Sequence, residues 1–312
     1  MQIHSHFCRT MKFSFSIFLL TVAGTVTAQQ IIPLYSGAIP NATSYTMKEI
    51  ASEKDGKVSW YQKVSKPTMT IFLPPKETAS GAGVVIFPGG GYSGESYEGE
   101  GILIAETFVK HGVAAFVVKY RLPSDSIMVD KSIGPLQDAQ RAIKVVRERA
   151  TEWGLKPDKI GIMGFSAGGH LASTAGTKFG EPLIDNTNKT SLRPDFMILI
   201  YPVISMNETL SHKGSRTNLL GAKPTAGQIE RFSNELHVTN QTPPTYLTHT
   251  GDDKVVDVDN SLTFYEALRH HNVPTELHLY PTGDHGFILK LPTEEWMQPL
   301  FVWMVKNSWA TR

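Results

Sequence analysis

Ser166 sits at the centre of Gly164-Phe165-Ser166-Ala167-Gly168, a Gly-x-Ser-x-Gly pentapeptide. Ile160 to Met163 before it is a short apolar run suited to a central strand, and His170-Leu171-Ala172-Ser173 after it continues as a helix. Strand, sharp turn and helix together make a nucleophile elbow. A serine at the tip of such a turn takes up a sparsely populated backbone conformation. The residues two before and two after it must be tiny, or their side chains collide. Gly164 and Gly168 meet that demand. The turn lifts the hydroxyl clear of the sheet and aims the N–H groups of the following helix at whatever the oxygen attacks.

A serine nucleophile needs a base to take its proton and an acid to orient that base. After an elbow of this kind they follow in the order Ser, Asp or Glu, His. Asp252-Asp253 closes the run Thr245 to Gly251, and His285 lies in Thr282-Gly283-Asp284-His285-Gly286-Phe287. Both positions end a predicted strand, where ligand sites of parallel sheets gather. Either aspartate could hold the histidine. Asp253 is favoured because it stands two residues before the pair Val255-Val256, which leaves Asp252 to cap or brace the loop. His249, on a strand, reads as a structural hydrogen-bonder, and His270-His271 as a solvated helix end.

The oxyanion of a tetrahedral intermediate needs two N–H donors. Val85-Ile86-Phe87-Pro88-Gly89-Gly90-Gly91-Tyr92 closes a strand with a bare glycine run, where backbone can approach a substrate closely. It corresponds to the His-Gly-Gly-Gly oxyanion element, with Pro88 in place of the histidine. Gly90 or Gly91 is expected to give one N–H and Ala167 the other. Tyr92 follows directly, and its ring is expected to bind substrate beside the acyl group or the leaving group.

These groups need a scaffold. Strand-like and helix-like segments alternate from about residue 68 onward, which argues for a mostly parallel sheet covered by helices. Predicted strands are 68–73, 84–87, 113–119, 160–163, 196–200, 245–248 and 276–280. Predicted helices are 102–110, 135–153, 260–270 and 294–306. The helix over 135–153 places Ala139, Ala142, Ile143, Val146 and Ala150 on one buried face. Residues 205–243 break the rhythm with polar clusters, glycine and proline, and one short helical stretch near 228–236. An insertion of that length in a compact fold suggests a lid or a binding wall.

With those residues in place the chain resembles the α/β-hydrolase superfamily. Within it the likeness is to the exported bacterial carbohydrate esterases close to acetylxylan esterases, which often carry a xylanase label. The similarity covers about residues 60–310. It rests on Pro88 to Tyr92, Tyr120-Arg121-Leu122, Gln137 to Ala142, the Ser166 elbow and Tyr201-Pro202-Val203-Ile204-Ser205. Gly214-Ser215-Arg216 through Gly221, Arg231-Phe232-Ser233 and the Asp253 and His285 loops complete the set. Asp257 departs from it, where the family usually has proline after the valine pair. The resemblance implies an α/β-hydrolase fold with helices on both faces of the sheet and a small lid-like insertion. It also implies a serine esterase acting on short acyl esters of polysaccharide or oligosaccharide, with acylated carbohydrate as its partner and neither metal nor organic cofactor.

Composition sets the outer bounds. The 312 residues, 41% hydrophobic and 19% charged, are ordinary for one large globular domain. A formal net charge of +1 gives no electrostatic case for nucleic acid or acidic membrane surfaces. Met11-Lys12, the apolar stretch 13–26 and Val26-Thr27-Ala28 read as a signal peptide over 1–28, with Met11 a candidate start and Gln29 the expected first mature residue. One catalytic domain is then expected over 29–312, exported to the periplasm or beyond. The single cysteine, Cys8, precedes the cleavage point, so disulfides and thiol chemistry are not expected.

Three other functions compete. A glycoside hydrolase needs two carboxylates ~5–9.5 Å apart, and no matched pair stands in recognisable loops. A serine peptidase of the prolyl-oligopeptidase type shares the elbow, but the stretch between Gln29 and Trp60 is too short for its propeller. A noncatalytic binding module is expected to have lost one of the three reacting groups, and none is lost.

Overall fold

The computed structural model describes residues 30–45 and 47–311. The expected export segment, with Met11, Cys8 and the cleavage point, lies outside the described residues. Among the described residues there are eleven strands and seven α-helices. The strands are β1 Gln30–Pro33, β2 Ile50–Lys54, β3 Lys57–Gln62, β4 Thr68–Phe72, β5 Gly83–Phe87, β6 Gly94–Glu95, β7 Ala114–Lys119, β8 Ile160–Phe165, β9 Met197–Ile200, β10 Thr245–Thr250 and β11 Thr275–Tyr280. The helices are α1 Leu103–Lys110, α2 Gly134–Glu148, α3 Ser166–Thr177, α4 Lys213–Leu220, α5 Ala226–Phe232, α6 Asp259–His270 and α7 Thr293–Lys306.

Eight strands form one sheet in the order β1-β4-β7-β5-β8-β9-β10-β11. From β7 onward every neighbour is parallel, while β4 is antiparallel to both β1 and β7. Parallel strands covered on both faces are apolar throughout rather than alternating. Accordingly β5, β7, β8, β9 and β10 are buried along their whole length. Their side chains still divide by the two-residue pleat. Val85, Phe116, Ile162 and Leu199 join the core that holds Ala139, Leu171 and Phe264 of α2, α3 and α6. Val84, Val117, Met163 and Ile198 join Phe108, Trp296 and Met304 of α1 and α7 on the other face. The result is an α/β-hydrolase sheet sandwiched by helices.

Two expectations change. Helix α2 ends at Glu148 rather than running to Trp153: Arg149 leaves helical geometry with φ −99° and ψ 13°, and the turn that follows closes at Gly154 with φ 68°. The insertion 205–243 carries two helices, α4 and α5, where one stretch was predicted, and a 3-10 turn Asn234–His237 follows them. It packs on the body of the domain. The Asn234 amide donates to the His170 carbonyl and to the Ser173 and Thr174 hydroxyl oxygens of α3 at 2.7–3.2 Å.

Candidate active site

The parallel sheet delivers the chemistry-bearing loops to one edge. The glycine run follows β5, Ser166 follows β8, Asp252 and Asp253 follow β10, and His285 follows β11. Ser166 has φ 50°, the left-handed conformation of a strained elbow. The glycines around it are required by contact: a Cβ on Gly164 would lie 2.1 Å from the Gly168 carbonyl oxygen, and one on Gly168 would lie 2.1 Å from the Phe87 oxygen.

The Ser166 Oγ lies 3.1 Å from His285 Nε2, and His285 Nδ1 lies 2.7 Å from Asp253 Oδ2. Asp253 therefore meets the histidine, and Asp252 does not. The Asp252 carboxylate instead accepts the Asp284 N–H at 2.8 Å, bracing the loop that carries His285. The Asp253 side chain is sealed from solvent, whereas His285 keeps 20% exposure toward the cleft. Burial pushes the Asp253 carboxyl up. Hydrogen bonds from His249, His285 and the Val256 N–H outweigh that and hold it well below the ordinary carboxylate range. It stays ionised, the state that suits a partner for a protonated imidazole.

His249 is fully buried, and its tautomer is fixed by its neighbours. Nε2 faces two acceptors, Asp253 Oδ2 at 3.1 Å and the Val256 carbonyl at 3.0 Å, so it carries the proton. Nδ1 then accepts from the Ser261 hydroxyl at 2.8 Å. The structural role expected for His249 is thus joined to the acid itself.

The glycine run is held by Glu100, which the sequence did not single out, and by Tyr120 and Tyr201, which it gave as parts of motifs without a role. Glu100, buried, accepts the Gly89 N–H at 2.6 Å through one oxygen and the Tyr201 hydroxyl at 2.9 Å through the other. Burial raises its carboxyl above the ordinary value, and those two bonds oppose the rise. Tyr120 donates its hydroxyl to the Pro88 carbonyl at 2.8 Å. With the Gly89 N–H consumed, the N–H groups of Gly90 and Gly91 are left without a hydrogen bond to any other described residue. Gly90 has φ 141° and passes so near Gly94 that a Cβ would lie 2.2 Å from its oxygen. Ala167 occupies the first turn of α3, directly after the serine. The Tyr201 ring stands 4.7 Å from the His285 ring, centroid to centroid, so it touches both the histidine and the support of the glycine run.

The expected substrate contact of Tyr92 is corrected. Its side chain is only 2% exposed and packs beneath the glycine loop against Tyr120 and His170. Its hydroxyl donates to His170 Nδ1 at 2.9 Å, and His170 Nε2 donates to the Phe232 carbonyl at 2.8 Å. Burial lowers His170 to about 4, which keeps it neutral. The aromatic ring followed the apolar core below the turn rather than the cleft above it. A residue placed next to a functional turn does not reveal which way it points. Among the described residues, no group of three or more His, Cys, Asp or Glu side chains is arranged to hold a metal ion.

The BD-FAE family model matches residues 69–268, which includes the glycine run, the elbow and Asp253. The chain is 40% identical over 226 residues to the acetylxylan esterase of Xylanibacter ruminicola, covering 71% of this chain and 44% of that protein. It is 37% identical over 207 residues to endo-1,4-beta-xylanase B of Butyrivibrio fibrisolvens, covering 65% of this chain and 32% of that one. It thus spans less than half the length of either relative. In structure it resembles the acetyl ester-xyloside bifunctional hydrolase from Caldicellulosiruptor lactoaceticus. The TM-score is 0.75 at 34% identity, over 93% of this chain and 100% of that chain. The chain is an α/β-hydrolase-fold member of the BD-FAE family.

Proposed function

We propose that this protein is a serine esterase that removes short acyl groups, acetyl above all, from polysaccharide or oligosaccharide such as acetylated xylan. The observation that carries the reading is the unbroken hydrogen-bonded line from Ser166 through His285 to Asp253 at the C-terminal edge of the sheet. The names of the relatives support acetyl ester chemistry, and the carbohydrate follows from them.

In this reading the Ser166 Oγ attacks the ester carbonyl carbon while its proton passes to His285 Nε2. Asp253 holds the Nδ1–H and stabilises the imidazolium. The N–H of Gly90 or Gly91 and that of Ala167 receive the oxyanion, each donor contributing about 3 kcal/mol in the transition state. Collapse breaks the bond to the leaving alcohol, which takes the proton back from His285. Water, deprotonated by the same histidine, then attacks the acyl-serine; the bond to Ser166 Oγ breaks as that oxygen takes the proton back from His285, and the carboxylic acid leaves. Polymeric carbohydrate lies outside the cell, so the reading carries export of the chain with it, through residues 1–28.

The test is turnover of aryl acetate, aryl xyloside and prolyl anilide by the wild type and by Ser166→Ala. Acetate release by the wild type and its loss by several powers of ten in the variant, with the fold unchanged, are expected. Activity of Ser166→Ala within tenfold of wild type would defeat the serine assignment. Wild-type turnover confined to xyloside or anilide would move the protein to another hydrolase class.

A further inference from the structure

His212 stands in the insertion, outside the Ser166–His285–Asp253 line, yet it reaches the same cleft. It is the N-cap of α4, and its Nδ1 accepts both the Ser215 N–H at 3.3 Å and the Ser215 hydroxyl at 2.8 Å. A ring nitrogen that accepts from an N–H carries no proton of its own, so the proton of a neutral His212 sits on Nε2. That Nε2–H meets no acceptor among the described residues, and the ring is half-buried. Its place is set by the oxyanion turn: a Cβ on Gly91 would lie 3.7 Å from His212 Cε1. One and a half turns further along α4, the Asn218 amide donates to the Gly91 carbonyl at 2.8 Å, so the helix is pinned to that turn. From the other side the ring lies within electrostatic reach of His285 and Asp253. Burial first, and then the neighbouring His285, lower its pKa below the ordinary histidine value, and Asp253 opposes them.

The geometry is that of a fixed donor between the glycines that face the oxyanion and the histidine that protonates the leaving group. It cannot serve as a base in this tautomer, because one nitrogen is occupied and the other already bears hydrogen. It can recognise an acceptor oxygen. A sugar ester differs from a simple ester in carrying such oxygens on the carbons beside the acylated one. We propose that the Nε2–H of His212 donates a hydrogen bond to a hydroxyl oxygen of the leaving sugar, next to the acylated position, and so selects carbohydrate esters over simple ones. This rests on the serine-esterase reading above.

The test compares kcat/KM on 4-nitrophenyl acetate and on partially acetylated xylo-oligosaccharides for wild type, His212→Asn and His212→Ala, with Tm for each. Asparagine is a good N-cap, so His212→Asn keeps the helix start but removes the Nε2–H. The expected result for His212→Asn is an unchanged Tm, an aryl acetate rate within about twofold, and a sugar-ester kcat/KM down about tenfold. His212→Ala is expected to lose the sugar-ester rate to the same degree and to lower Tm as well. Wild-type sugar-ester activity in His212→Asn would reduce His212 to a helix cap and overturn the proposal. Equal losses on both substrates would assign the residue to the oxyanion turn and overturn it too. A wild type that cleaves aryl acetate but not the sugar ester sinks this proposal and the carbohydrate part of the reading above, and leaves the serine esterase standing. Failure on aryl acetate sinks the esterase reading, and this proposal with it.

Discussion

The Asp253 carboxylate accepts four hydrogen bonds, from the rings of His249 and His285 on one oxygen and from the N–H groups of Val255 and Val256 on the other. No rotation of the group keeps all four, so its orientation toward His285 is fixed before substrate arrives. An amide at this position turns two donors away and favours the wrong histidine tautomer, a change that costs around 10⁴-fold in a related triad. Asp253→Asn is therefore expected to cut kcat on aryl acetate by about that factor. Asp252→Asn, which only loosens the brace on Asp284, should cost about tenfold or less. The reverse ranking, read from the two kcat values, would move the acid role to Asp252. The sequence pointed to this aspartate because a spacing rule connects it to the valine pair, and to Ser166 because the glycine spacing is a contact requirement. His212 and Glu100 carried no comparable signal, and Tyr201 stood in a motif to which no role was attached. Tyr201 and Glu100 meet across 101 residues of chain, and His212 is close in sequence to its partner Ser215 but far from its neighbour Gly91.

At the scale of elements, the readable segments were those buried on both faces. Strands β5, β7 and β8 are continuous apolar runs between turn residues, and α2 shows its buried face in its own periodicity. Strands β2 and β3 were not foreseen, because β2 is exposed at every position and a pattern of burial is what sequence reading detects. Short α4 was missed for a related reason: only Ser215, Leu219 and Leu220 are buried, too few to display a helical period. The segment Glu98–Ile102, a π-helical turn leading into α1, supplies the buried Glu100 that links the glycine run to the end of β9. Glutamine in its place can accept through one oxygen only, which orphans either the Gly89 N–H or the Tyr201 hydroxyl. An unsatisfied buried donor costs about 1–3 kcal/mol. If that cost falls on the geometry of the oxyanion turn, Glu100→Gln should lower kcat on aryl acetate by about tenfold or more, since 1.4 kcal/mol is a factor of ten. A variant with unchanged kcat and a lower Tm would mean that the link stabilises the fold without shaping the turn.

At the scale of the whole molecule, one buried ion pair joins the N-terminal segment to the sheet. Arg121 and Asp138, both almost fully buried, are joined at 2.8–3.1 Å, and the same pair binds the Tyr35 hydroxyl and the Pro40 carbonyl. The two motifs Tyr120-Arg121-Leu122 and Gln137-Asp138 thus belong to one clamp, which no local pattern in the sequence could join. Glu95, in β6 and fully buried, has no such partner: one oxygen accepts the Tyr120 N–H at 2.8 Å and the other has no hydrogen bond. Burial, opposed by the Tyr120 N–H and nearby Lys119, raises its carboxyl well above its ordinary value of 4.5. The folded state holds the proton more tightly than the unfolded one, so the contribution of Glu95 is fully present below about pH 4.5 and is lost as pH rises toward the folded value. Asp253 and Glu49 are shifted the other way and act on the acid side, losing their contribution as pH falls below the ordinary carboxylate range. Between pH 5 and 8, Glu95 can therefore remove at most about 1.4 kcal/mol per pH unit. Each kcal/mol corresponds to about 2 °C in a chain of this size. Glu95→Gln keeps an acceptor for the Tyr120 N–H and cannot ionise. Its Tm should decline less than that of the wild type between pH 5 and 8, and the gap between the two should widen by at least about 2 °C over that range. Parallel Tm curves for the two proteins would mean that Glu95 does not change its ionisation differently on unfolding.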